Sequence, residues 1–531
     1  MTEIRFEFPY ASKRMPVMGR NVVATSQPLA AQAGLKMLGR GGNAVDAAIA
    51  AAVTLTVVEP TGNGIGSDAF AIVWDNVRLH GLNASGRSPA AWTLERFDHV
   101  DTMPLYGWDA VTVPGAVSAW STLSKRFGRL PFEDLFEPAI TYARDGFQVT
   151  PHVASVWRGA AKTLAASSEF GAAFLPNGRA PEPGERFSHP EQATTLERIA
   201  ATLGDAFYKG DLADAMVAHA ARNGGLLSHG DLGTHAPDWV ATISQECVDD
   251  IRLHELPPNG QGLASLIALG LLQHQGLDQL GPDSVEAIHL QIEAMKLAFA
   301  DTYHYVADPS HMGTPAESLL DPEYLRARAR AIDRRRAQDP RAGVPTEGGT
   351  VYVTTADEDG NMVSLIQSNF HGFGSGVVVP GTGISLQNRG AGFSLDPHHP
   401  NVVAGGKRPF HTIIPAFLTQ GGSALMGLGV MGGPMQPQGH LQLALRTAMW
   451  HQNPQAAIDA PRWRWMGGRT VAVEPGIPSN TRQALEGLGH EIVRDQPDLE
   501  FAFGGAQAIY RSDDGYIAGS DPRKDGQAVA F

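Results

Sequence analysis

The feature that most constrains this chain is a glycine pair set directly against a strand. Gly348 and Gly349 precede Thr350, Val351, Tyr352, Val353, Thr354, Thr355 and Ala356. Asp357-Glu358-Asp359-Gly360-Asn361 follows. Thr350–Ala356 is almost wholly β-branched or aromatic, the composition of a strand. Asp359-Gly360 fits the turn of a hairpin into a second strand, Met362–Ser368. On one reading Thr350 simply opens that hairpin. On the other it is a nucleophile. A threonine hydroxyl is weak without a base beside it. A cut between Gly349 and Thr350 frees an α-amino group with a pKa of about 7.7–8.0, neutral in useful part at pH 7. Nucleophile and base then share one residue. Gly349 gives the backbone freedom for the hydroxyl to reach its own peptide bond. This segment alone leaves both readings open.

The rest of the chain narrows the class. A length of 531 residues suffices for one large domain or two ordinary ones. The formal net charge of −14 argues against nucleic acid or an anionic membrane as the partner. A basic run from Arg326 to Arg341 departs from that balance and reads as a solvated helix entering a Pro/Gly tail (Pro340, Gly343, Pro345). Cys247 is the single cysteine, so no disulfide forms within the chain. Its neighbours Gln245, Glu246, Val248 and Asp249 do nothing to activate a thiolate. Met1–Arg20 lacks the apolar core of a signal peptide. The apolar stretch Ala47–Val58 is too short to span a bilayer. A cytoplasmic location is the expectation.

Pattern predicts a helix over Pro28–Leu38 closed by Gly39, then an Ala-rich helix capped by Asn43 and ended by Glu59-Pro60. Gly39, Gly41 and Gly42 fit neither a dinucleotide nor a P-loop spacing and punctuate helices instead. Ala69–Trp74 and Val77–Leu82 read as a hairpin. Ser284–Asp301 reads as an amphipathic helix with Ile288, Ile292, Met295 and Phe299 on one face. After the two strands that open at Thr350 come Gly376–Pro380 and Ala424–Leu428, then a helix over Gln436–Met449 and two or so short strands. The mixture is α/β (α+β), layered around a sheet-on-sheet core.

Ordered segments along nearly the whole chain resemble the gamma-glutamyltransferase family, which are N-terminal nucleophile hydrolases. They are Leu38–Ala48, Pro257–Gly262, Glu293–Asp301, the Thr350 segment, Gly429–Pro434 and Gly519–Arg523. The resemblance implies a four-layer αββα sandwich with Thr350 at the end of a central strand. It implies self-cleavage at Gly349–Thr350, giving a large subunit (residues 1–349) and a small one (350–531) that together form one catalytic domain. Whether that pair doubles into a dimer of heterodimers is left open. By the same resemblance Thr350 is the nucleophile, and Ser368 falls where the family has a second, supporting hydroxyl; a neutral strand serine is the alternative there. Gly432 and Gly433 match the pair whose N–H groups form an oxyanion hole, each such donor being worth on the order of 3 kcal/mol in a transition state. Arg87 matches the residue that clamps a substrate carboxylate, with a lone surface arginine as its alternative.

Departures from the family pattern bear on the substrate. Arg389 and Gly392 stand where a γ-glutamyl enzyme has Gln and Asp; Phe370 replaces an Asn; His411-Thr412 replaces a Ser pair. Losing a carboxylate and gaining a guanidinium suits a substrate with a strong anion and no ammonium. These variants are most similar to the oxamate amidohydrolase branch, in which Arg87 and Arg389 would hold a carboxylate attached directly to the amide. A γ-glutamyl hydrolase or transferase, an acylase for dicarboxylic side chains of the cephalosporin type, and an unprocessed anion-binding protein are the rivals. No cofactor or metal is expected: His304, His311, His398 and His399 lack the spacing and carboxylate context of a metal site and read as surface or loop residues.

Overall fold

The computed structural model describes residues 13–340, 349–493 and 503–531. Gly348 and the tail from Arg341, with Gly343 and Pro345, lie outside the described residues. Two seven-stranded sheets make the core. We number the strands of these sheets β1 (Val17–Gly19), β2 (Val22–Thr25), β3 (Asp68–Trp74), β4 (Leu79–Asn83), β5 (Asp238–Val240), β6 (Ile243–Val248) and β7 (Ile251–Glu255). They continue with β8 (Gly349–Ala356), β9 (Met362–Phe370), β10 (Ala416–Gln420), β11 (Ser423–Val430), β12 (Ala506–Ser512), β13 (Gly515–Ser520) and β14 (Gln527–Ala530). The first sheet runs β14-β2-β8-β9-β3-β4-β5 and the second β1-β13-β12-β11-β10-β7-β6. Every neighbouring pair in both is antiparallel.

Alternation along the strands builds the layers. In the first sheet Tyr352, Ile366, Phe70 and Ile72 pack with Phe417, Ile509 and Tyr516 of the second, between the sheets. Val351, Val353, Val363 and Leu365 face the other way, onto helices α1 (Pro28–Gly39), α2 (Ala44–Val58) and α3 (Ala116–Phe127). Leu418, Met426 and Leu428 face α4 (Leu263–Leu272), α5 (Val285–Tyr305) and α6 (Met435–Ala448). Helices, sheet, sheet, helices: this is the four-layer αββα sandwich.

Helix α2 is buried on every side, so its polar residues are satisfied locally. Thr54 and Thr56 donate to the carbonyls of Ala50 and Val53 at 2.7 Å each. Asn43 and Asp46 form a reciprocal capping box at its start. The preceding helix runs through Gly39 to an Arg40 cap, and the left-handed residue is Gly41 (φ 86°). The predicted strand at Gly376–Pro380 shrinks to Val378–Val379. The C-terminal region holds more strand than the pattern showed: β12 pairs with β13, and β14 crosses to pair with β2 in the other sheet. The basic run begins in a helix, Pro322–Ala329. Among the described residues no helix is long and apolar enough to cross a membrane.

Candidate active site

Register gathers the site at one end of the gap between the sheets. Strand β8 starts there, β9 ends there and β3 starts there, so Thr350, Ser368 and Asp68 come side by side; Ser368 lies directly opposite Asp68. A bulge between Gly349 and Val351 re-aims Thr350 out of the regular ladder. Thr350 is 1% exposed. Its Oγ1 lies 3.3 Å from Ser368 Oγ, to which it donates, and 3.4 Å from Gln436 Nε2, from which it accepts. None of the hydrogen bonds of Thr350 Oγ1 among the described residues goes to a carboxylate, imidazole or amine. In the uncut chain no basic side chain among the described residues is therefore bonded to the hydroxyl.

Ser368 Oγ accepts from the N–H of Phe370 at 2.8 Å. Phe370 sits at φ 78°, the left-handed region that a bulky residue enters only under constraint. Its ring lies against the guanidinium of Arg389, 4.7 Å from centroid to Cζ. Arg389 is 1% exposed. Its Nη1 donates to Thr412 Oγ1 at 2.7 Å, while Nε and Nη2 have no acceptor among the described residues. Burial lowers the Arg389 pKa to about 9, with Asp68 acting against that shift. His411, next to Thr412, places Nε2 3.1 Å from Asp68 Oδ2 and sets its ring edge-on to Phe70. Burial pushes the His411 pKa well down, aided by Arg389 and Arg408.

Gly432 and Gly433 form the turn from β11 into α6, at φ 114° and 56°. No other residue type holds such a turn cheaply. Their carbonyls accept from the N–H groups of Met435 and Gln436, while their own N–H groups find no acceptor among the described residues. Gln261, in the predicted Pro257–Gly262 loop, ties this turn to the Thr412 segment. Its Nε2 donates to the carbonyls of Thr412 (2.6 Å) and Gly433 (2.9 Å).

Arg87 stands apart. Its side chain is 46% exposed and donates to Asp308 at 2.9 Å and to the Gly406 carbonyl at 3.2 Å. None of its hydrogen bonds reaches Thr350 or Arg389. Gly392 packs against the Phe410 carbonyl, and its own carbonyl accepts from Asn401 at 2.6 Å. Sequence reasoning missed Asp68 and Gln436. The signal for Asp68 was an acid opening an otherwise apolar strand; Gln436 follows the glycine turn by one helical step.

His289, Glu293 and His490 form one buried group of metal-ligand types in the α5 layer. Within it His289 Nδ1 and His490 Nε2 are 2.8 Å apart, and Lys296 pairs with Glu293 at 2.7 Å. His304, His311 and His398 are exposed, and His399 bonds the Tyr303 carbonyl at 2.8 Å.

Residues 30–531 match the family model described as gamma-glutamyltranspeptidase. A glutathione hydrolase-like YwrD proenzyme of Bacillus subtilis is 37% identical over 97% of this chain and 100% of its own length. An oxamate amidohydrolase proenzyme of Klebsiella pneumoniae is also 37% identical, over 95% of this chain and 97% of its own. The crystal structure of a cephalosporin acylase from Bacillus halodurans superposes with a TM-score of 0.95 at 48% identity, covering 100% of this chain and 99% of that one.

Proposed function

We propose, from the premise that this chain belongs to the gamma-glutamyltranspeptidase family, that it is a self-processing amidohydrolase for a small amide bearing a carboxylate, such as oxamate. The observation that carries the substrate reading is the buried Arg389, whose Nε and Nη2 have no acceptor among the described residues. A buried polar group without a partner is costly, and a carboxylate is the ligand that satisfies a guanidinium edge. Phe370 and Thr412 hold the guanidinium in place, and neither offers an ammonium partner for a γ-glutamyl group. Arg87 is the second proposed carboxylate contact, reached by exchanging Asp308 for substrate.

The cut at Gly349–Thr350 gives Thr350 a free amine. That amine takes the hydroxyl proton as Oγ1 attacks the amide carbon, and the Gly432 and Gly433 N–H groups receive the oxyanion. The C–N bond breaks with proton transfer to nitrogen, ammonia leaves, and an ester to Thr350 remains. Water, deprotonated by the same amine, then splits the ester and returns the hydroxyl. Ser368 and Gln436 orient Oγ1 throughout.

The fit to a cephalosporin acylase structure favours one second reading, an acylase for a longer dicarboxylic side chain. The deciding experiment is turnover by the cut protein, its new N-terminus sequenced, on oxamate, a glutaryl anilide and a γ-glutamyl anilide. Ammonia from oxamate with both anilides silent supports the small-amide reading. Glutaryl turnover alone moves the assignment to acylase. Turnover of the γ-glutamyl anilide alone overturns the role given to Arg389.

A further inference from the structure

We infer that Asp68 is the charge partner against which Arg389 takes an anion, so that carboxylate binding by the cut enzyme takes up a proton at Asp68. This rests on the reading of Arg389 as the substrate's carboxylate partner.

Asp68 is fully buried at the start of β3, across from Ser368. Its Oδ1 accepts from the N–H groups of Gly86 (3.3 Å) and Gly115 (3.0 Å). Both glycines are required, since a Cβ at either would overlap a neighbouring backbone carbonyl. Its Oδ2 faces His411 Nε2. His411 Nδ1 accepts from the Ile413 N–H at 3.3 Å, so the single ring proton sits on Nε2 and donates to Asp68. His411 is thus a neutral positioning group.

The positive groups acting on Asp68 are Arg389 and Arg408. Arg408 is committed elsewhere, to the Ser85 carbonyl at 2.9 Å and to Asp238 at 2.5 Å. Tyr208, the other titratable neighbour, has its hydroxyl pushed up by burial and stays neutral. Of these two arginines, Arg389 is left to balance both Asp68 and an incoming anion, and in the cut enzyme the amine freed on Thr350, whose hydroxyl bonds Ser368 across from Asp68, is the further titrating group. It reaches Thr412, the residue after His411, so Asp68, His411, Thr412 and Arg389 form one connected wall.

Burial already raises the Asp68 carboxyl to about 7, with Arg389 the strongest influence holding it down. A second anion on Arg389 weakens that hold and raises the carboxyl further. Below pH 7 Asp68 carries its proton and the anion binds to an uncompensated guanidinium. As pH rises through 7, binding must bring a proton with it and weakens. Nearby like charges in a water-poor site act in this sense.

Calorimetric titration of oxalate, the acid that oxamate hydrolysis releases, into the cut enzyme at pH 7 tests this. Two buffers of different ionisation enthalpy report the protons taken up. The wild type should take up about half a proton per oxalate more than Asp68→Asn, which keeps the Thr350 amine and so subtracts its share. The affinity of the wild type should fall several-fold between pH 6.5 and 8, and that of Asp68→Asn should fall by clearly less, its remaining slope coming from the Thr350 amine. Oxalate binding without proton uptake, or with the same uptake in Asp68→Asn, overturns the role of Asp68 and leaves Arg389 standing. Absence of both oxalate binding and oxamate turnover overturns Arg389 and Asp68 together. Should Asp68→Asn fail to mature, the uncut Thr350→Ala chain, which has no freed amine, supplies the proton count, and oxalate binding to it without proton uptake overturns the role of Asp68.

Discussion

Among the described residues Thr350 Oγ1 hydrogen-bonds only a hydroxyl and an amide, so the proposed nucleophile must draw its base from the amine that the proposed cut frees. Thr350→Ala should therefore stay a single chain on a denaturing gel and release no ammonia. Ser368 contributes one neutral hydrogen bond to the nucleophile, and such bonds are worth about 0.5–1.5 kcal/mol. Ser368→Ala should lower kcat by about two- to tenfold while still cutting; an unchanged kcat would remove Ser368 from the machinery. Phe370 differs in kind. Its φ of 78° costs on the order of 1–3 kcal/mol for a bulky residue. Its stacking on Arg389 returns about 2 kcal/mol when desolvated. Asparagine tolerates the left-handed region better. Phe370→Asn should therefore keep its Tm while losing kcat/KM on the carboxylate amide, because Arg389 loses the ring that holds its plane. A variant whose Tm collapses would show that the ring's packing outweighs its strain.

Between elements, the closing motif Gly519–Arg523 finds its physical meaning. Asp521 Oδ2 accepts from Arg462 Nη2 at 2.8 Å and from the Ala506 N–H at 2.7 Å. Arg462 Nη1 reaches the Phe503 carbonyl at 2.7 Å, and the Gly505 carbonyl accepts from Met431 N–H at 2.9 Å. The pair thus clamps the turn into β12, which in turn holds the residue before Gly432. Burial acts on the Asp521 carboxyl most and would raise it, but Arg462, Arg523 and backbone N–H groups together bring it down to about 2. Relative to the ordinary value of 3.8, the shift corresponds to about 2 kcal/mol of stability. That contribution is complete above pH 3.8 and is lost as pH falls toward 2. Asp521→Asn should be less stable by about 3–5 kcal/mol at pH 6. The gap from wild type in urea unfolding should narrow as pH falls from 4 to 2.5, and a gap that stays constant would deny Asp521 its ionised state. The strands at Thr350–Ala356 and Met362–Ser368 and the cap at Asn43 were legible because their signals are local. Asp68 and Gln436 were not, because their positions come from cross-strand register and from the packing of α6 against β11, which no single segment encodes. Arg87 was legible as a motif, while its partner Asp308 lies in a segment far along the chain.

Across the whole molecule, residues on either side of Gly349–Thr350 are interleaved in both sheets. Strands β8 and β9 lie between β2 and β3, and β10 to β13 lie between β7 and β1. Cutting the 349–350 bond removes no strand from either sheet, so the two pieces should elute as one species and part only on unfolding. Expressed alone, each would expose open sheet edges and the apolar faces that now meet between the layers. The cut also changes the thermodynamic order of unfolding. An uncut chain unfolds to one molecule, whereas the cut pair unfolds to two, and its apparent stability then depends on concentration by mass action. Each tenfold rise in protein concentration favours the folded pair by about 1.4 kcal/mol. The urea midpoint of the mature protein should accordingly rise between about 1 and about 100 μM, each decade by about 1.4 kcal/mol divided by the m-value, while that of Thr350→Ala, being one chain, should hold still. Equal midpoints for the mature protein at every concentration would mean that the pieces remain associated when unfolded, and that the interleaved sheets are not the bond between them.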